Sequence, residues 1–496
     1  MNKIFKYSLW LLLPLFFACS EEGLEDSGKG TLSGKVVTNG DNLPLENVKI
    51  ETSPASNTVF TDAEGNFTIA NIQSGEYSVS AQLEGYTTAF KAANVQNGQT
   101  SNVVFELKKS TANNQPPTVP QLISPAENEV LANIEVVFIW SSSDPDEDEV
   151  TYTLELRNDV NNDVEIFEDI TDTLYVHSPL MYGAKYFWQV TADDGINTPV
   201  NSLVSSFTVQ AAPADNRILF ARNTNGNLVI YSSDEEGNEF QLTSSVENSF
   251  RPRRNVAANK IAFFKTQGAY TDIYTMNRDG SGVTKVTTAT KPNGFNLSEI
   301  NFCWPHNSDQ IYFPSFDKLY RINSNSQGLQ LVYQTPDGSL ISEVDVNVQF
   351  NMIALKTNNI NGYDVKIFVT NLSGEHQYDV LTGVDGAASG LHISADGQKI
   401  LYSYDISGFQ SAEYRRMQSR IFLYEVAGGT ATDISGDTPS GTNDLDPRFS
   451  PNEAFVIFTN TSNDGISQKD IYMLEINSSN NSRTLIHNNA EMADWK

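Results

Sequence analysis

The sequence predicts an all-β protein: two small β-sandwiches followed by a six-bladed β-propeller closed by its C-terminal strand. Three observations carry this expectation. Short apolar runs between residues 31 and 210 alternate at period two, the signature of half-buried strands. From residue 214 onward a four-strand pattern recurs at steps of 43, 46, 48, 54 and 50 residues, which is the length of a propeller blade. Gly, Asn and Asp punctuate the runs, as turns require. The chain has 496 residues, enough for about three domains. Its 32 Lys and Arg against 61 Asp and Glu give a net charge of −29. That balance argues against a nucleic-acid binder and against adsorption to anionic lipid.

Residues 1–18, MNKIFKYSLWLLLPLFFA, pair a short basic region (Lys3, Lys6) with an apolar stretch too short to span a bilayer. Ala18 then precedes Cys19. This looks like a bacterial lipoprotein signal, which implies that Cys19 is lipidated. An ordinary secretory signal with a chance cysteine is the alternative. Residues 19–30 form a small, acidic tether with Glu21, Glu22, Glu25 and Asp26. The tether resembles the export signal of surface lipoproteins in Bacteroidetes-type bacteria. The expected location is therefore the outer membrane, lipid-anchored and surface-exposed, or else periplasm-facing. With Cys19 acylated, Cys303 has no thiol partner within the chain. Its neighbours Phe302 and Trp304 mark it as a buried, inert thiol.

Residues 31–108 read as short strands in a fixed order: SGKVV, PLENVKIE, then TDAEGNFTIANIQSGEYSVSAQLEGY. This closely resembles the carboxypeptidase regulatory-like domain, which implies a β-sandwich acting as spacer or docking module, without peptidase activity. Asp62 to Gly65 is expected to make a hairpin turn. A linker follows at 109–116, within the polar, proline-rich run STANNQPPTVPQ. A second sandwich is expected over 117–210. Val136, Phe138 and Trp140 share one face, as do Tyr152, Leu154 and Leu156, and Tyr186, Trp188 and Val190. An early Trp strand and a late Y-x-W-x-V strand followed by ADDG resemble a fibronectin type III domain. Residues 141–172 carry twelve acidic groups and one Arg. In the loop SSDPDEDEV, Asp144, Asp146, Asp148 and Glu149 could converge on calcium, which takes six to eight oxygens. A solvated acidic turn is the other reading. No other cofactor is expected.

The propeller is expected over 214–496. Six I/L-Y/F pairs mark its units: Ile230-Tyr231, Ile273-Tyr274, Leu319-Tyr320, Ile367-Phe368, Ile421-Phe422 and Ile471-Tyr472. Strands such as KIAFFKT and KILYSY precede them, and turns leading to L-T follow. The pattern, best seen in DLDPRFSPNEAFVIFTN, resembles the repeats of the Tol-system protein TolB and its relatives. EMADWK resembles a first strand and NRILFAR a second, so the two ends are expected to complete one blade and remove an exposed edge. On one rim, the reading places Arg251, Arg253, Asp444 and Arg448 just before the first strands. The long connection SYDISGFQSAEYRRMQSR in the fifth unit adds Phe409, Tyr414, Arg415, Arg416 and Arg420. Aromatic and Arg side chains are favoured at binding hot spots; a solvated loop is the alternative.

The sequence holds no G-x-S-x-G, H-E-x-x-H or C-x-x-C motif and no phosphate-binding loop, since the near match GLEDSGKG in the tether lacks the closing Ser/Thr. Its five histidines are scattered. No catalytic residue is expected, although Asp444 with Arg448 would be the first place to look. The expected function is a lipid-anchored cell-envelope interaction protein, an accessory part of an outer-membrane complex. Its propeller rim would bind a protein or a glycan, and no nucleic acid. Alternatives are a propeller-type carbohydrate-active enzyme or lyase, and a periplasmic TolB-like adaptor.

Overall fold

A computed structural model describes residues 28–161, 163–213, 216–476 and 482–496. Cys19 and the acidic residues of the tether lie outside them. Every regular element among the described residues is a strand. Among the described residues no helix is long and apolar enough to cross a membrane. The chain forms two compact units. One holds the described residues up to Pro116 with 144–148 and 194–198; the other holds the rest.

The first unit is a two-sheet sandwich. Lys29–Thr38 lies between Asn66–Gln73 and Thr100–Leu107, while Lys49–Ser53 and Gly75–Gln82 form the centre of a four-stranded sheet. Alternation explains the core: Leu32, Val36, Ile50, Phe67, Val79 and Phe105 all turn inward. The Asp62–Gly65 turn closes by an Asp62 N–H to Asn66 O bond of 2.9 Å, and the Asp62 carboxylate accepts from the Glu64 and Asn66 amides. It is not a hairpin, however. Val59–Phe60 and Asn66–Gln73 belong to different sheets, so the turn is a corner between layers. Gly65 is required there: its φ is +76°, and a Cβ would meet Val36 O at 2.5 Å.

The second unit begins with another sandwich. Val136–Ser141 sits between Leu174–His177 and Gln121–Ser124. Thr151–Asn158 and Lys185–Asp193 form the centre of the facing sheet. All three period-two triplets point into one core, with Phe138 against Trp188 at 4.9 Å and Trp140 edge-on to Tyr152 at 5.5 Å. Trp140 and Trp188 are core residues, each 1% exposed.

Six antiparallel sheets follow. Sheet one combines Glu491–Trp495 with Ile218–Thr224, Asn227–Ser233 and Glu239–Gln241. Sheet two runs Asn248–Asn255, Lys260–Gln267, Tyr270–Asn277, Thr284–Lys285. Sheet three has Gln310–Ser315, Lys318–Asn323 and Gln330–Gln334. Sheet four runs Leu340–Asn347, Met352–Asn358, Lys366–Thr370, His376–Leu381. Sheet five runs Ala388–Ile393, Lys399–Asp405, Ser419–Glu425, Thr430–Asp433. Sheet six runs Thr442–Phe449, Phe455–Ser462, Lys469–Glu475, Arg483–His487. The first strand of each is called inner below. In sheet three this strand shrinks to a single bridge, Cys303 to Tyr312, because Pro305 has no N–H to extend it. The second strands are near-continuous apolar runs such as Ile261-Ala262-Phe263-Phe264, buried on both faces. Sheets stacked face to face demand this pattern in place of alternation.

Five inner strands carry a register shift. In four of them the bulge holds a residue with positive φ: Arg251, Gly390, Asp446 and Met492. Gly390 shows why one is glycine, since a Cβ there would meet Pro447 Cδ at 2.2 Å. The bulge turns neighbouring side chains in a new direction, and the site below depends on it.

Candidate functional site

Each inner strand presents one side chain at the same register. Arg253 pairs with Ala262, Asp345 with Ala354, His392 with Leu401, Arg448 with Ile457 and Asp494 with Leu219. Cys303 holds that position through its bridge to Tyr312. These six residues, one from each sheet, line a single cavity of about 360 Å³. Small-molecule sites occupy roughly 300–1,000 Å³. Trp304, His306, Glu453 and Trp495 extend the wall toward the turns that follow the inner strands.

Four of the six tie one sheet to the next. The Arg254 N–H donates to Asp494 Oδ2 at 2.8 Å, the Ile393 N–H to Asp345 Oδ2 at 2.7 Å and the Phe449 N–H to His392 Nδ1 at 3.1 Å. The Val346 amide serves Cys303 in the same way. In each case the donor sits one residue beyond the equivalent position in the following sheet. Burial first, then the Asp345 carboxylate, push the Cys303 thiol well above its ordinary range, so it is not a nucleophile. Arginine cannot accept a hydrogen bond, so Arg253 and Arg448 break the pattern.

An N–H can only donate, so His392 Nδ1 accepts, and the neutral ring carries its proton on Nε2. Burial first, then Arg448, Lys496 and Arg253, hold His392 well below the ordinary 6.5. Between its lowered value and 6.5 the unfolded chain binds more protons, so stability rises with pH across that window. The His392 contribution is complete above about pH 6.5 and is lost below it, with a slope of up to about 1.4 kcal/mol per pH unit. In urea titrations between pH 5 and 7, His392→Asn is expected to flatten the profile. An unchanged profile would contradict a neutral, buried His392.

In the other direction along the inner strands lies a packed cluster of side chains. Tyr414, from the long connection of sheet five, packs at 4.9 Å against Phe295 and at 5.3 Å against Tyr363. Arg416 pairs with Glu299 and lies over the Tyr414 ring. Below them Arg251 Nη1 reaches Asp446 Oδ1 at 3.1 Å. Glu343 and Lys356 face each other at 3.6 Å, both fully buried.

Several expected rim residues therefore sit elsewhere. Arg251, Arg253, Asp444 and Arg448 lie inside the inner strands, not before them, because those strands begin as early as Asn248 and Thr442. All four are buried. Asp444 bonds Asn460 and Arg483, so it is not paired with Arg448. Tyr414 is buried and Arg416 mostly so, which packs the long connection against the body of the protein. Arg420 is half-buried in its strand. Phe409 and Arg415 are exposed, the latter donating to Asn463 O at 2.7 Å.

The acidic loop does not gather its carboxylates. Asp144 Oδ1 accepts the Asp146 and Asp148 amides, Asp146 accepts the Gln115 amide, Asp148 faces Lys109, and Glu149 is exposed. Backbone donors and a lysine take one oxygen each of Asp144, Asp146 and Asp148, while Asp144 Oδ2 has no partner. Among the described residues no three His, Cys, Asp or Glu side chains are grouped to hold a metal ion. Sequence reasoning did not find Asp345, Glu343 or Lys356. Aligning the six units on their second strands would have placed Asp345 level with Arg448.

One family model matches part of the chain. Residues 32–119 match the CarboxypepD_reg-like domain. This CarboxypepD_reg-like segment takes in the first sandwich. No curated protein matches the chain. Among solved structures, it is similar to TolB from Acinetobacter baumannii at 16% identity, covering 63% of this chain and 79% of that one, with a TM-score of 0.45. An oligogalacturonate lyase from Vibrio parahaemolyticus matches at 13% identity over 53% and 88%, TM-score 0.35. A quinonprotein alcohol dehydrogenase-like protein from Bacteroides thetaiotaomicron matches at 10% identity over 76% and 99%, TM-score 0.40.

Proposed function

We propose that this is a lipid-anchored cell-envelope binding protein without catalytic activity, whose residues 216–496 close into a six-bladed β-propeller. Its partner, a protein or a glycan, enters at the end where the inner strands finish. The observation that carries this reading is the cavity lined by one residue from each of six sheets. Support also comes from the pairing of Glu491–Trp495 with Ile218–Thr224. The opposite end is filled by Tyr414 and Arg416, which leaves a cup with one mouth. Asp494, Asp345 and His392 each accept a backbone amide from the next sheet, and burial keeps the Cys303 thiol protonated.

The test is photo-crosslinking in native membranes. A crosslinker at Gln349, exposed at the cavity mouth, is expected to capture a partner. One at Phe409, exposed on the long connection, is expected to capture none. Capture only from Phe409 would reverse the assignment of the binding end.

A further inference from the structure

Arg448 is 3% exposed and forms no ion pair among the described residues. Its Nη1 donates to Leu391 O at 3.3 Å, while Nε and Nη2 have no partner. Those two atoms share one edge of the guanidinium and point the same way. That edge is the one that takes a carboxylate through two parallel hydrogen bonds. Arg253, 5% exposed, lines the same cavity. Its Nη1 and Nη2 are bonded to Pro252 O and Asn301 Oδ1, and its Nε is unpartnered.

The neighbouring charges do not satisfy these donors. Asp494 comes between the two arginines in sheet order, but its Oδ2 holds the Arg254 amide. Asp345 holds the Ile393 amide. Neither forms an ion pair with Arg253 or Arg448. Glu453, at the mouth, accepts the Ala395 amide. His392 is neutral, and Arg254 and Lys496 add positive charge to the wall. A guanidinium keeps its proton in a protein. Two charged, buried side chains with donors unpartnered by protein favour an acceptor in the cavity they line.

We propose that the free edge of Arg448, in the cavity that Arg253 also lines, receives the carboxylate of a small ligand. The inference rests on the cavity end being the binding end and adds the chemistry of what binds there. A carboxylate supplies acceptors alone and matches the planar edge. The carboxylate could belong to a free organic acid or to the C-terminus of a peptide.

The full-length protein would be titrated with succinate, with a tripeptide acid, with the same tripeptide as its amide and with inorganic phosphate. Melting temperature and calorimetry provide the readouts. A saturable upward shift with succinate or the tripeptide acid, and none with the amide, is expected. Succinate alone points to a free acid, and the tripeptide acid to a peptide terminus. Arg448→Gln and Arg448→Lys are each expected to weaken binding roughly tenfold or more, the loss of a charged bidentate contact. Arg415→Gln, on the exposed loop, is expected to leave it unchanged. Ligand-free Arg448→Gln is expected to melt no lower than wild type, which separates lost binding from lost folding. No saturable shift with either acid, a response to phosphate alone, or equal binding by Arg448→Gln would overturn the proposal. If Gln349 still captures a partner while no carboxylate binds, this inference falls and the binding end stands.

Discussion

Glu343→Leu is expected to remove most of the stability of the six-sheet region. Glu343 Oε2 accepts the Gly390 and Leu391 amides at 2.9 and 3.1 Å, and Oε1 faces Lys356 Nζ at 3.6 Å. Both side chains are 0% exposed. Leucine there strands a buried ammonium, at a cost of about 3–5 kcal/mol. It also removes the acceptor of two buried amides, at roughly 1–3 kcal/mol each. A domain's whole stability is about 5–15 kcal/mol. Burial already pushes Lys356 down, with Glu343 the largest opposing influence. Urea unfolding followed by circular dichroism checks this. The double variant Glu343→Gln with Lys356→Met keeps an acceptor and removes the charge, so it is expected to recover most of the loss. A single variant within about 1 kcal/mol of wild type would contradict a desolvated pair.

The second large effect is expected from removing residues 491–496. Glu491–Trp495 supplies the inner strand of sheet one. Its Met492 and Ala493 are buried, and Asp494 is 2% exposed and tied to the Arg254 amide. Losing the methionine costs about 2–5 kcal/mol, and losing the Asp494 acceptor about 1–3 kcal/mol. The deletion also bares the edge of Ile218–Thr224, which then offers unpaired backbone groups to other chains. Loss of cooperative unfolding and a gain in aggregation are expected.

Much of the fold was legible because the relevant signals are local. All six I/L-Y/F pairs fall in the third strands of their sheets, where the aliphatic member is fully buried each time and the aromatic one is buried or half-buried. The sandwich triplets worked for the same reason, one face at period two. The Asp62–Gly65 turn was half legible: its closing bond is local, but which sheet each strand joins depends on distant partners. The site was less legible. Arg253 and Arg448 stood out by type, yet their depth depends on bulges at Arg251 and Asp446 that no local pattern signals. Tyr414 looked like a hot-spot residue on a long loop. It is buried because Phe295 and Tyr363, far away in sequence, provide its packing. The acidic loop was half legible for a related reason: two of its carboxylates meet donors in Gln115 and Lys109, which spacing alone does not reveal.

The central claim is that six sheets make one ring around the cavity, closed by residues 491–495. Hydrogen exchange in the protein lacking 491–496 tests it most directly, read at Met352–Asn358 in sheet four, the strand farthest in sheet order from the closure. A ring loses cooperativity as a whole, so exchange there is expected to accelerate along with that in sheets one and six. Protection unchanged in sheet four, with loss confined to sheets one and six, would contradict the ring.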